Sequence, residues 1–363
     1  MRPDPRWRDL PLRPEVAAAE PYGAPQLDVP VKLNVNENPY PPSPAIRQAM
    51  AEAVARAAGQ LNRYPDREAL ELRRRLAVYL GHGLGPDQVW AANGSNEIMI
   101  QILLAFAGPG RRVLNFTPSY SMYPEYARDT HSDYVTSPRT ADFQIDPVMA
   151  LAAVERHQPG VVVVARPNNP TGTPTDLGVI AALARASAGM VVVDEAYQEF
   201  SNQPSALDLL PQYGNLIVAR TMSKAFAFAG GRVGYAAAHA AVIDALRVVR
   251  LPYHLSSVTQ AVAAVALEQA EAMLANVAEL VRTRDAVIPR LRRFGLTVVD
   301  SQANFILFGP FTDRHQVWTD LVERGILVRE TGPAGYLRVS IGTPDEMERF
   351  LAALAEIMKG LTR

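Results

Sequence analysis

The sequence predicts an α/β protein built on an open, mostly parallel sheet with a smaller α/β domain behind it. Three observations carry this. From Gln88 onward, short β-branched runs recur as "QVWAA", "RRVLNF", "SDYVT", "GVVVVA", "MVVVD", "NLIVA" and "RVGYAAA". Strands apolar throughout belong in sheets covered on both faces. Most of these runs are separated by helical or Ala-rich segments, the alternation of a parallel sheet. After about residue 260 the style changes to a long helical stretch, "SVTQAVAAVALEQAEAMLANVAELVRTRDAVIPRLRRF", and then to the short strands "LTVVDSQANFILFG", "GILVRE" and "YLRVSIGT".

The elements follow in order. Residues 1–44 are proline-rich and read as an extended arm packing with the small domain, because Pro removes backbone donors and blocks helix. "SPAIRQAMAEAVARAAG" reads as a helix with Ser43 as its cap, Pro44 in its first turn and Gly59 at its end. A second helix is expected over about Arg67 to Leu80, and a last one over Pro344 to Lys359. The expected division is the arm (1–44), a large domain with seven strands (45–262) and a small C-terminal domain (263–363).

Totals narrow the function classes. With 363 residues the chain is long enough for two domains, and 48% hydrophobic against 20% charged residues is an ordinary globular balance. A formal net charge of -1 offers no bulk attraction for nucleic acid or an anionic membrane. Zero cysteines exclude disulfides, thiolate metal sites and a cysteine nucleophile, and fit a cytoplasmic protein. "MRPDPRWRDLPLRPE" lacks the apolar core of a signal peptide, and no window approaches ~20 uninterrupted apolar residues. No helical H-E-x-x-H pair suggests a metal, and no G-x-G-x-x-G follows the first strand as a nicotinamide enzyme needs. The arm carries no helix-turn-helix pattern, which argues against a DNA-binding regulator.

Ligands of open α/β sheets bind outside the carboxyl ends of the strands. Four polar clusters stand there: "ANGSNE" (92–97), "RPNNPTG" (166–172), "DEAYQEF" (194–200) and "RTMSK" (220–224). Singly, each has a plain structural explanation as a capping box, a turn, a helix cap or a solvated lysine. Together, their order and context point to one chemistry. A lysine among apolar residues, Lys224, has its charged form disfavoured and its pKa lowered from ~10.4. A neutral amine forms a Schiff base with an aldehyde, and pyridoxal phosphate is the common aldehyde cofactor. Asp194 suits its ring nitrogen, and Asn169 and Tyr197 suit its phenolic oxygen. The amides after Gly94, with Ser223 and Arg232, suit its phosphate.

The chain resembles the fold-type I pyridoxal-phosphate aminotransferases, and within them the histidinol-phosphate aminotransferase branch. The resemblance runs over nearly the whole chain, through "PYGAPQLDVPVKLNVNENPYPPSP", "RYPD", "NGSNE", "TPSYSMY", "PNNPTG", "DEAYQEF", "SKAFAFAGGRVGY" and "YLRVSIG". It implies that Lys224 carries the Schiff base, Asp194 pairs with the pyridinium, and Tyr197 and Asn169 contact the phenolic oxygen. It implies that Tyr120 stacks on the ring and that Ser95, Asn96, Ser223 and Arg232 hold the phosphate. Tyr64 would reach that phosphate from the other subunit, which implies a homodimer with a shared site. Arg338 would bind the substrate carboxylate; strand alternation in "YLRVSIG" independently points it away from the apolar face. Arg329 is a second candidate for the substrate anion, with Tyr22, Asn36 and Tyr253 nearby by analogy. The implied reaction is amino transfer from L-histidinol phosphate to 2-oxoglutarate, giving imidazole-acetol phosphate and glutamate in histidine biosynthesis. An aromatic amino acid aminotransferase and a threonine-phosphate decarboxylase share the scaffold and stand as alternatives. Pro41 and Gly231 depart from the commonest pattern, which has glycine and leucine there.

Overall fold

The computed structural model describes residues 10–361. The part of the arm and of the "MRPDPRWRDLPLRPE" segment before residue 10 therefore lies outside the described residues. The rest of the arm is mainly extended but includes one short helix, Pro14–Ala17, with Pro14 in its first turn. It then forms β1 (Val31–Lys32).

Seven strands follow in the large sheet: β2 (Val89–Ala92), β3 (Arg112–Thr117), β4 (Asp133–Pro138), β5 (Val161–Ala165), β6 (Met190–Asp194), β7 (Leu216–Thr221) and β8 (Gly234–Ala238). Their spatial order is β2-β8-β7-β6-β5-β3-β4. All run parallel except β8, which is antiparallel to both neighbours, β2 and β7. The mostly parallel α/β sheet expected from the sequence is thus the fold. Its central strands are buried throughout, as covering on both faces requires. Along β5, Val162 and Val164 enter one apolar layer, while Val161 and Val163 enter the opposite one. That is the two-residue period of a strand seen in the packing. Edge strand β4 keeps exposed and part-exposed positions.

The C-terminal part adds β9 (Thr297–Val298), β10 (Phe305–Gly309), β11 (Ile326–Leu327), β12 (Arg329–Glu330) and β13 (Leu337–Ser340). Four of these form the antiparallel sheet β12-β13-β10-β9. β11 instead pairs in parallel with β1, so the arm extends this part rather than the large sheet. Val31 and Leu33 of the arm join its apolar core with Phe305, Phe308, Phe350 and Leu354.

Local differences from the sequence reading have clear causes. The helix Pro44–Ala58 is capped as expected, with the Ile46 N–H donating to Ser43 Oγ at 3.4 Å. The next helix starts at Leu70, not Arg67, because the Asp66 carboxylate takes the Glu68 and Leu70 N–H groups in a turn ahead of it. The last helix runs on to Leu361. The long helical stretch after residue 256 is three helices, Ser257–Glu268, Ala270–Leu274 and Val277–Arg292, with a bend of 83° after the first. A boundary at 262 falls inside Ser257–Glu268, whose Ala263, Ala266 and Leu267 pack in the large-sheet core. Among the described residues no single helix is long and apolar enough to cross a membrane.

Candidate active site

The carboxyl ends of β5, β6 and β7 open into a cavity of about 440 Å³. Its other walls come from the arm (Tyr22, Ala24 and residues 34–37) and from the small sheet (Arg329, Thr331 and Arg338). All four polar clusters reach it, through Ser95 and Asn96, Asn169, Asp194 and Tyr197, and Ser223 and Lys224.

Lys224 sits where the arm crosses β7's end. Its Nζ donates to the Val35 carbonyl at 2.9 Å. Its neighbours Ala225 and Phe226 are fully buried. Desolvation, then the like charge of Arg338, lowers the Lys224 pKa to about 8; Arg232 adds to this and Glu37 opposes it. The expected apolar tuning of the lysine is therefore joined by two guanidinium groups, Arg232 from the same segment and Arg338 from the far end of the chain.

Asp194 ends β6 and is buried. Tyr123 Oη donates to its Oδ2 at 2.8 Å, and the Ala196 N–H donates to Oδ1 at 3.2 Å. Burial raises the carboxyl pKa, and these two donors oppose that shift without reversing it. A protonated ring nitrogen entering the cavity would find a fixed carboxylate.

Tyr197 is held by two amides. Asn36 Nδ2 and Asn169 Nδ2 donate to its Oη at 3.0 Å and 3.3 Å. Both donations leave the Tyr197 hydroxyl proton for a ligand. Burial raises its pKa, so the phenol stays protonated at neutral pH. Asn169 Oδ1 in turn accepts from Arg338 at 2.6 Å. Arm, large sheet and small sheet thus meet in one chain of hydrogen bonds.

An anion cradle lies at the opposite end. Gly94, at φ +83°, caps the helix Ser95–Phe106 without a side-chain bond. A Cβ on Gly94 would strike the Arg232 guanidinium, and one on Gly234 would strike the Ser95 backbone N. The two glycines therefore let Arg232 and the helix N-terminus close around a small anion. Arg232 itself adopts φ +55°, a left-handed conformation costly for a non-glycine residue. A Cβ at Gly231 would strike the Phe228 ring, so the leucine common at this position does not fit beside Phe228 as it stands.

Arg338 and Arg329 bring a second pair of positive charges to the cavity wall. They are direct register partners across β12 and β13, so both side chains stand on one face. Arg338 is buried against the Phe305 ring, 5.2 Å from its centroid, and donates to the Asn34 carbonyl at 2.8 Å. Its Nε is buried with no partner. Strand alternation points Arg338 away from the apolar face, and the arm covers the face it points to and makes it the cavity wall. Arg329 reaches the Gly23 carbonyl at 3.2 Å.

Tyr22 and Asn36 line the cavity, Tyr22 bonding Ser121 at 2.9 Å. Tyr120 lines it too, edge-on to Tyr123. Tyr253 does not reach it; it stacks on Tyr64 with ring centroids 4.4 Å apart, on a different surface of the chain. Tyr64 is 79% exposed, so contact with a cavity phosphate requires a second copy of the chain. Tyr123, the Val35 carbonyl and Glu37 join the site without having been singled out from sequence. Tyr123 had a signal, lying three residues after Tyr120 in "TPSYSMY"; a backbone carbonyl has none. Among the described residues no cluster of His, Cys, Asp and Glu could hold a metal ion.

Residues 28–354 match the family model described as aminotransferase class I and II. The chain is 58% identical to the histidinol-phosphate aminotransferase of Thermobifida fusca, covering 95% of each chain. It is 56% identical to histidinol-phosphate aminotransferase 3 of Burkholderia lata, covering 96% of each. Among solved structures it resembles the histidinol-phosphate aminotransferase of Sinorhizobium meliloti in complex with pyridoxal-5'-phosphate, with TM-score 0.85 and 25% identity over 97% of this chain and 98% of that one.

Proposed function

The chain belongs to the class I and II aminotransferase family, and on that premise we propose that it transfers the amino group of L-histidinol phosphate to 2-oxoglutarate, giving imidazole-acetol phosphate and glutamate. The observation that carries this reading is the Arg329–Arg338 pair facing Lys224 across one cavity. The two anionic partners of this reaction present a phosphate in one case and a carboxylate in the other. A guanidinium grips either bidentately, and Arg338 keeps a buried Nε without a partner.

The residues present fit pyridoxal 5'-phosphate. The glycine-shaped cradle of Ser95, Asn96, Ser223 and Arg232 would take its phosphate, Asp194 its ring nitrogen, and Asn169 and Tyr197 its phenolic oxygen. Tyr120 would cover its ring. When bound, the cofactor supplies an aldehyde that captures amines and a ring that draws electrons from the substrate Cα. Lys224 Nζ would hold that aldehyde between turnovers and, once displaced, take the Cα proton as general base. A pKa near 8 leaves a useful fraction of this amine neutral at cellular pH. Asp194 would pair with the ring N–H, whose positive charge joins the Tyr123 and Ala196 donors in opposing the upward push of burial on its carboxyl. The Tyr197 phenol donates its free proton to an oxyanion while the two asparagines fix its oxygen. Hydrolysis and the reverse sequence with 2-oxoglutarate return Lys224 to its starting state.

We further assign a homodimer in which Tyr64 of each copy reaches the other's phosphate, and a cytoplasmic setting in keeping with a cysteine-free chain. The deciding experiment compares ketone formation from histidinol phosphate and from phenylalanine in one assay. Preference for histidinol phosphate supports the reading. Preference for phenylalanine replaces it with an aromatic aminotransferase, and loss of carbon dioxide with a decarboxylase.

A further inference from the structure

Beneath the cavity floor, each of the three central strand ends divides its residues in the same way. The cavity takes Ala165, Asp194 and Thr221, while their chain neighbours Arg166, Glu195 and Arg220 turn to the other side. Those three neighbours meet. Arg166 pairs with Glu195 Oε1 at 3.2 Å, and Arg220 with Glu195 Oε2 at 2.8 Å. The Glu195 side chain is fully buried. It also accepts from the Ser205 hydroxyl and the Ala206 N–H, both at 2.7 Å. Asn169 and Lys224 stand on the loops that leave β5 and β7, and Asp194 is the last residue of β6.

We propose that Glu195 is a positioning residue: with Arg166 and Arg220 it sets the mutual placement of the three strand ends that present Asn169, Asp194 and Lys224 to the cofactor. A buried ion cluster is a poor device for stability alone, because desolvating its charges offsets most of their attraction. Apolar side chains of similar volume would pack these strand ends as well. What the charges add is geometric demand, since one carboxylate can satisfy two guanidinium groups only when its own strand stands correctly between theirs. Parallel strands here are bonded backbone to backbone, with Arg166 N–H on the Asp194 carbonyl and Glu195 N–H on the Ala219 carbonyl, each at 2.8 Å. The side-chain cluster continues that registry past the ladder's end, where the loops begin.

The inference rests on the aminotransferase reading, which fails by itself if the wild-type protein binds no pyridoxal phosphate. The test uses Glu195→Gln, which keeps the shape and removes the charge. Purified variant and wild type are stripped of cofactor and titrated with pyridoxal phosphate, and the absorbance of the lysine-bound cofactor is followed against pH. Cofactor affinity should fall on the order of tenfold to a hundredfold, with a displaced absorbance titration. Glu195→Asp, charged but too short to span both arginines, should fall comparably. A lower melting temperature with unchanged affinity and titration would reduce Glu195 to a structural residue and overturn the proposal. Restoration by Glu195→Asp would overturn it equally, since charge compensation alone would then suffice. If Glu195→Gln does not fold, Ser205→Ala loosens the same carboxylate while keeping every charge. It should weaken the cofactor in the same direction, and wild-type affinity there would end the proposal.

Discussion

The two walls of the cavity are built in different ways. On the large-sheet side, each functional group sits at the end of a strand within a compact sequence cluster, and the backbone delivers it. Asp194 ends β6, and Lys224 follows β7 by three residues. On the opposite side, the arm and the small sheet contribute groups from the two ends of the chain. Asn36 bonds Tyr197, Ser340 bonds Asn36, and Arg338 bonds both Asn34 and Asn169. The first wall reads as chemistry that is the same for every amine substrate. The second reads as anion recognition closed over it. The groups proposed for covalent and proton-transfer chemistry are thus mounted on the large sheet, while those proposed to grip substrate anions stand in a layer that one hydrogen-bonded chain ties to it.

Substitutions on the two walls should separate this contrast. The largest loss belongs to the sheet wall: Lys224→Ala should lower turnover about 10⁴-fold or more and remove the yellow absorbance of the bound cofactor. Retained turnover would sink its catalytic role. On the opposite wall, Arg338→Leu should raise KM for both substrates by on the order of a hundredfold, since it leaves Asn169 and the Asn34 carbonyl unpaired as well. Arg329→Leu should act more selectively, weakening histidinol phosphate by about tenfold and glutamate much less; equal losses would remove its phosphate role. Tyr64→Phe should weaken cofactor binding by roughly tenfold through loss of one bond to a charged group. Unchanged affinity would argue against a site shared between two copies.

The smallest effect is one of pH. Folding lowers the Lys224 pKa to about 8, whereas the unfolded chain keeps it near ~10.4. In cofactor-free protein the rate of aldehyde capture should therefore rise with pH to about 8 and then level off. The sign for stability follows from the same difference. Between those two values the unfolded chain holds a proton that the folded chain has released, so cofactor-free protein should gain stability as pH rises through that window. A capture rate still climbing at about pH 10 would mean an ordinary, solvated lysine.

How legible each part was depended on its range along the chain. The strands of the large sheet and most of its site residues stood in the sequence as β-branched runs ended by polar clusters, because one strand end carries both signals. Tyr123 was legible only weakly, since nothing local says that its hydroxyl meets Asp194 across the sheet end. Tyr253 stands beside Tyr64 and outside its own chain's cavity, a placement the sequence leaves open because resemblance to relatives does not say which surface of its own chain a loop tyrosine joins. The long run after residue 256 kept its helical pattern, but its 83° bend comes where Gln269 leaves helical geometry, which periodicity does not register.

By itself the sequence determined the sheet, its parallel sense and the identity of the lysine, carboxylate and tyrosine that face its edge, since alternation and strand-end position act within a few residues. Only the tertiary structure decided that the arm pairs with β11, that Val35 offers its carbonyl to Lys224, and that Arg329 and Arg338 stand side by side on the cavity wall. Those facts depend on hydrophobic burial that folds both chain ends over one cavity, and burial of that kind leaves no local mark in the chain.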